Sequence, residues 1–338
     1  MVKLKVKHVG PIKNGFDSPD GFLEFKGVTL FIGNQGSGKS TIAKLFSTLS
    51  WIEKALVRGD FTDRYVMQYN RFKKHLAYQN LSNYIDSDSY IEYIGNAFRM
   101  VYENNQFNVH PATPVHNYSF PKIMYVPAER NFVSSVDRPD LVKRLPLPLY
   151  TFMDEYEEAK QQNNDTFRLP IGDVSFEYKK QSKKSFIVGS DYNIELLEAS
   201  SGFQSMVPLV LVTHHLSNII KNKVSETRKG ISREEEEKIR KTVAKMIEGK
   251  TISEDVLKVV LENISSRYKY ESFINVVEEP EQNLFPESQK NIFFELLKYK
   301  NENINNKLII TTHSPYLLSY LSIAIHAHYL INKIKQES

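Results

Sequence analysis

The chain contains no cysteine. Disulfide staples, thiol nucleophiles and zinc–thiolate sites are therefore excluded, and the composition fits a reducing, cytoplasmic setting. No apolar run reaches the ~18 residues that a membrane-spanning helix needs, so no membrane partner is expected. The opening Met1-Val2-Lys3-Leu4-Lys5-Val6 alternates charged and apolar residues, which reads as a strand and not as a signal peptide. An excess of one charge is also missing. The 44 basic and 40 acidic side chains leave a net charge of +4, which permits a nucleic-acid surface without arguing for one. Internal repeats and long low-complexity tracts are absent. What is present is an ordinary globular composition, 41% hydrophobic and 25% charged over 338 residues, enough to bury a large core.

The most specific signal is the run Gly33-Asn34-Gln35-Gly36-Ser37-Gly38-Lys39-Ser40-Thr41. It follows the apolar Val28-Thr29-Leu30-Phe31-Ile32 and precedes Ile42-Ala43-Lys44-Leu45-Phe46. Strand, glycine-rich loop and helix in that order are the context of a P-loop. Glycines let backbone amides turn toward phosphate oxygens, and the helix start behind them adds partial positive charge. Lys39 reaches the β- and γ-phosphates and the Ser40 hydroxyl ligates Mg²⁺. A nucleoside triphosphate is the expected ligand.

Around this motif the chain divides by pattern. Residues 1–32 read as two or three strands joined by turns at Gly15, Ser18-Pro19-Asp20-Gly21 and Gly27. Residues 52–118 are polar, rich in Tyr and Phe, and of mixed helical periodicity. Pro121-Lys122-Ile123-Met124-Tyr125-Val126-Pro127 reads as a short buried strand that delivers Glu129 and Arg130 to its C-terminal end, the end that lines the ligand crevice in parallel sheets. Two alternating runs flanking Lys179-Lys180-Gln181-Ser182-Lys183-Lys184 predict a hairpin with a lysine-rich tip, whose charges discourage edge pairing. Residues 215–270 are predicted to be a charged helical block, with a Ser232 cap followed by Glu234 to Glu237 and then basic residues.

Three later segments carry chemistry. Ser200-Ser201-Gly202-Phe203-Gln204 opens an apolar helix, a second place where backbone amides meet phosphate. Phe273-Ile274-Asn275-Val276-Val277-Glu278-Glu279 is a strand ending in adjacent carboxylates. One can hold Mg²⁺ and the next can polarise a water. Leu308-Ile309-Ile310-Thr311-Thr312-His313 is another strand, ending in a histidine able to contact a γ-phosphate.

Together these four segments resemble the ABC-type ATPases over nearly the whole chain. Gly33 to Ser40 matches Walker A, Ser200 to Gln204 a degenerate signature, Val276 to Glu279 Walker B, and His313 the switch histidine. The resemblance implies an α/β fold, an ABC-type P-loop head with a mixed β-sheet, an N-terminal antiparallel β-subdomain and an inserted helical lobe. The expected organisation is a single ATPase domain over 1–338, with a helical/polar insertion at 52–118 and the charged lobe at 215–270. It further implies ATP and Mg²⁺ as cofactors, Ser40 and Glu278 as metal ligands, and Lys39, Glu279 and His313 as catalytic residues. Ser201 and Gly202 would contact nucleotide across a head-to-head dimer, with Glu129 and Arg130 lining the site.

Glu279-Pro280-Glu281-Gln282-Asn283-Leu284-Phe285-Pro286 and Thr311-Thr312-His313-Ser314-Pro315 resemble the soluble RecF-like and OLD-like branch, whereas transporter heads usually read Asp-Glu-Pro-Thr. Within that branch the chain is similar to prokaryotic anti-phage ATPases such as those of the PARIS and Septu systems. That likeness implies a nucleotide-gated sensor or scaffold, a separate nuclease or toxin as effector, and a phage protein as trigger. A DNA-clamping repair ATPase and a non-hydrolysing ATP-bound scaffold are the alternatives. Two positions depart from the family pattern. Glu278 stands where the family has aspartate, so slow hydrolysis is expected, and Phe203 stands in place of the signature's second glycine, which weakens the contact expected across the dimer. His326 and His328 lack nearby carboxylates in sequence, and no nuclease activity is expected within this chain.

Overall fold

A computed structural model of the protein describes residues 2–112, 118–163, 166–221 and 269–337. Its centre is a sheet of four parallel strands, β3 (Val28–Ile32), β7 (Pro121–Val126), β12 (Ser272–Glu278) and β13 (Lys307–Thr312), in the order β3-β13-β12-β7. Side chains alternate between two apolar layers, as the period of two requires. Ile274, Val276, Ile309 and Tyr125 enter one core, and Phe273, Val277, Leu308, Ile310, Met124 and Val126 enter the other. Burial on both faces explains why the central strands β12 and β13 read as continuous apolar runs in sequence.

The first layer contains α1 (Lys39–Arg58) and a five-stranded antiparallel sheet. That sheet has the order β2-β1-β4-β5-β6, from β1 (Val2–Lys7), β2 (Leu23–Phe25), β4 (Tyr90–Ile94), β5 (Phe98–Glu103) and β6 (Gln106–Pro111). Helix α1 is buried on most of its circumference. It ends at Gly59, whose left-handed backbone (φ 81°) directs its amide to the carbonyls of Ala55 and Leu56, the usual glycine termination. Short helices α2 (Asp63–Val66) and α3 (Arg71–Tyr78) follow. Glu53 of α1 pins this layer, accepting from the amides of Ala97 (2.7 Å) and Phe98 (3.1 Å) and from the Tyr93 hydroxyl (2.9 Å).

The segment 52–118 thus differs from its helical and polar reading. Helix α1 extends through its start, and its second half supplies β4, β5 and β6 to the N-terminal sheet. Glu92 obscured the pattern. It sits buried mid-strand, held by Arg99 (2.7 Å) and the Tyr90 hydroxyl (2.5 Å).

The second layer contains α4 (Phe132–Ser135), α5 (Leu147–Gln162), α6 (Ser201–Lys221), α7 (Pro286–Asn301) and α8 (Pro315–Glu337). Beside it lies a four-stranded antiparallel sheet, β11-β10-β9-β8, of β8 (Phe167–Arg168), β9 (Ser175–Lys179), β10 (Lys184–Val188) and β11 (Asn193–Glu195). The β9–β10 pair is the expected lysine-tipped hairpin, with Lys179 opposite Lys184. The charged lobe expected at 215–270 begins on α6, and its residues 222–268 lie outside the described residues. No helix among the described residues is long and apolar enough to cross a membrane.

Candidate nucleotide-binding site

All four central strands run parallel, so their C-terminal ends form one edge. The register puts Ile32 level with Thr312, Thr311 level with Glu278, and Val277 level with Val126. The P-loop, His313, the Glu278–Glu279 pair and the Glu129–Arg130 turn therefore emerge side by side. The crevice beyond this edge is where open α/β sheets take ligands.

The P-loop connects β3 to α1. Gly36 and Gly38 have left-handed backbones, φ 75° and 95°, which side chains resist. Gly38 is also required by space, since a Cβ there would stand 2.8 Å from Cγ1 of Ile12. Gly36 opens onto free space, with nothing within 4 Å of a Cβ position. The first helical bond of α1 runs from Ile42 N–H to Gly38 C=O, so the amides before it have no acceptor within the helix. Asn34, Gln35, Gly36, Ser37 and Ser40 are exposed, whereas Thr41 is buried. Lys39 is 8% exposed and donates to the carbonyls of Gly33 and Asn34, both at 2.8 Å. Burial lowers its ammonium pKa, opposed by the carboxylates of Glu279 and Glu281.

Glu278 ends β12 as a buried carboxylate. The buried Tyr125 phenol beside it is pushed well above its ordinary pKa, first by burial and then by the Glu278 charge. Glu279 has φ 45°, a conformation costing an L-residue roughly 1–2 kcal/mol and typical of functional positions. Its amide donates to Thr311 C=O at 2.8 Å, and its Oε1 lies 3.3 Å from Nε2 of His313. Both side chains are partly exposed, so the pair faces outward from the edge.

Glu281 joins this site without having been given a role from sequence. Its Oε1 accepts from the Thr312 hydroxyl (2.6 Å) and the His313 amide (2.8 Å). Its Oε2 is buried with no hydrogen-bond partner. The repeated glutamate in Glu279-Pro280-Glu281 was the available signal.

Arg130, expected from sequence to line the nucleotide site, is fully buried. Its guanidinium donates to the carbonyls of Glu279 (2.6 Å), Glu278 (2.7 Å), Ser205 (3.1 Å) and Pro127 (3.3 Å). It binds three chain segments together and has no face toward a ligand. Glu129, one residue earlier, is exposed. At the start of α6, Ser201 is exposed and Gly202 packs on the loop after Pro280, where a Cβ would meet Asn283 C=O at 3.0 Å. Gln204 turns inward, donating to Leu197 C=O at 2.8 Å.

An open glycine cradle, the exposed Ser40, the Glu278 carboxylate and the unpartnered Glu281 Oε2 fit a Mg²⁺–nucleotide. A cavity of about 480 Å³ lies elsewhere, between α5 and the β9–β10 hairpin, lined by Lys160, Lys183, Asp154 and Glu157 among others.

No protein-family model and no curated protein matches the chain. Among solved structures it is similar to the SMC head domain from Thermotoga maritima, at 12% identity and TM-score 0.40, covering 94% of this chain and 90% of that one. A structure of the SmcHead bound to the C-winged helix domain of ScpA gives 12% identity and TM-score 0.41 over the same shares. The central parallel sheet, the glycine-rich loop crossing from β3 to α1 and the N-terminal antiparallel sheet agree with the α/β architecture expected from the sequence.

Proposed function

We propose that this chain is an ABC-type ATPase that hydrolyses the β–γ bond of ATP slowly, working in the cytoplasm as a nucleotide-gated sensor or scaffold. The observation that carries this reading is the single edge on which the P-loop, Glu278–Glu279 and His313 converge. Lys39 stabilises phosphate charge, and Glu279, held against His313, orients and activates the attacking water. Ser40 and Glu278 would hold Mg²⁺, which would neutralise charge on the phosphates when bound. The extra methylene of glutamate at 278 loosens a site that prefers near-ideal octahedral geometry, which supports slow turnover. Ser201, exposed at the start of α6, is available to a nucleotide bound by a second copy, so ATP would close a head-to-head dimer. Control of a separate nuclease or toxin in anti-phage defence is supported by the Glu-Pro-Glu and Thr-His-Ser-Pro resemblances.

The test is mass by light scattering with ATP and Mg²⁺, with phosphate release read from the same samples. Wild type is expected to turn over ATP, Glu279→Gln to accumulate a larger ATP-bound assembly, and Lys39→Ala to do neither. Equal assembly of wild type with and without nucleotide, and no phosphate release, would overturn the proposal.

A further inference from the structure

A second cluster of ligating groups lies away from the nucleotide edge, between α5 and α6. Glu155 and Glu158 are three residues apart and share a face of α5, which His215 of α6 meets. One carboxylate oxygen of each glutamate and a ring nitrogen of His215 lie within 4.8 Å of one another. Glu155 is 7% exposed and His215 is 3% exposed. His215 Nε2 stands 3.4 Å from Glu155 Oε1 and 3.8 Å from Glu158 Oε2. Neither His215 Nε2 nor Glu155 Oε1 makes a hydrogen bond.

Two buried, polar atoms aimed at each other but held apart need an explanation. A charge-assisted hydrogen bond between them would close to ~2.7–2.9 Å. Two ligands of a tetrahedral ion, each ~2.1 Å from the metal, stand about 3.4 Å apart. The other oxygen of Glu155 meets the Lys122 ammonium of β7 at 3.0 Å, an outer contact of the kind that orients ligating carboxylates.

We propose that Glu155, Glu158 and His215 bind a divalent first-row transition ion. The imidazole nitrogen selects Zn²⁺ over the harder Mg²⁺. The ion ties α5 to the helix that begins at Ser201, and is separate from the ion at Ser40 and Glu278. Glu158, with its side chain 53% exposed, forms the entry side.

The full chain, stripped with EDTA and dialysed, is titrated without nucleotide with Zn²⁺ by calorimetry and with Co²⁺ by visible absorbance. One ion per chain is expected. Glu158→Gln and His215→Ala should each weaken binding at least ten-fold, with Glu278→Gln within two-fold of wild type. Zn²⁺ should raise the melting temperature of wild type and not of Glu158→Gln. If His215→Ala does not fold, the exposed Glu158→Gln decides. No saturable binding by wild type, or equal binding by wild type and Glu158→Gln, overturns the proposal and leaves a buried histidine packed between two glutamates.

Discussion

Replacing Arg130 separates a structural clamp from a nucleotide contact. Burial lowers the guanidinium pKa to about 10, opposed by Glu281, Glu279, Glu278 and Glu129, so it remains charged at neutral pH. Its acceptors are four backbone carbonyls on β7's end, β12's end and α6. Hydrogen bonds to a charged group contribute ~1.5–3 kcal/mol each. They do not add, because the arginine's own desolvation opposes them, so losing this buried hydrogen-bond network should cost about 3–5 kcal/mol net. At ~2 °C per kcal/mol for a domain of this size, Arg130→Ala should melt about 6–10 °C below wild type without nucleotide. Arg130→Lys should recover only part of that, since one ammonium cannot span three segments. The carbonyls of Glu278 and Glu279 are among those released, and a misplacement of ~1 Å at a reacting group costs roughly 100-fold in rate. Phosphate release should therefore fall by about that factor even well below the melting temperature. Differential scanning calorimetry and a phosphate-release assay read the two effects. An Arg130→Ala protein that melts like wild type but binds ATP far more weakly would refute the clamp and restore the nucleotide contact.

Glu53 and Glu281 each offer a separate test. Burial raises Glu53 above its ordinary pKa of 4.5, against the opposing hydrogen bonds from Ala97, Tyr93 and Phe98. The folded protein therefore takes up this proton at higher pH than the unfolded chain, and the associated stability is complete below 4.5 and lost as pH rises through the folded value. Urea unfolding of wild type against Glu53→Gln should show wild type losing ground as pH rises above 4.5, and a difference independent of pH would contradict this. For Glu281, alanine leaves the buried Thr312 hydroxyl and the His313 amide without their acceptor, at about 1–3 kcal/mol. Glu281→Gln keeps one oxygen for both donors and should restore most of the stability in the same unfolding assay; equal losses in the two variants would contradict this.

How much of this was legible in the chain follows from the distance over which each residue finds its partners. The central strands β12 and β13 were readable because burial on two faces leaves an uninterrupted apolar run, and the P-loop because its glycines, Lys39 and Ser40 are consecutive. The order of the four strand ends was not readable, yet the ends carry the motifs, so placing the strands was enough to locate the edge. The N-terminal sheet was only half legible, since the buried Glu92 interrupts β4 with a charge that Arg99, seven residues on, neutralises. Arg130 misled for the same reason on a larger scale. A charged residue just after a strand looks like a ligand contact, and what cancels that reading is a set of carbonyls 75, 148 and 149 positions away. Carbonyls leave no mark in a sequence, because every residue has one. Glu155 and His215 were hidden likewise, as ordinary residues on two helices whose packing alone brings them together. Sequence thus exposes groups that meet through the local path of the chain, and conceals those whose partners are backbone atoms or residues on elements far along the chain.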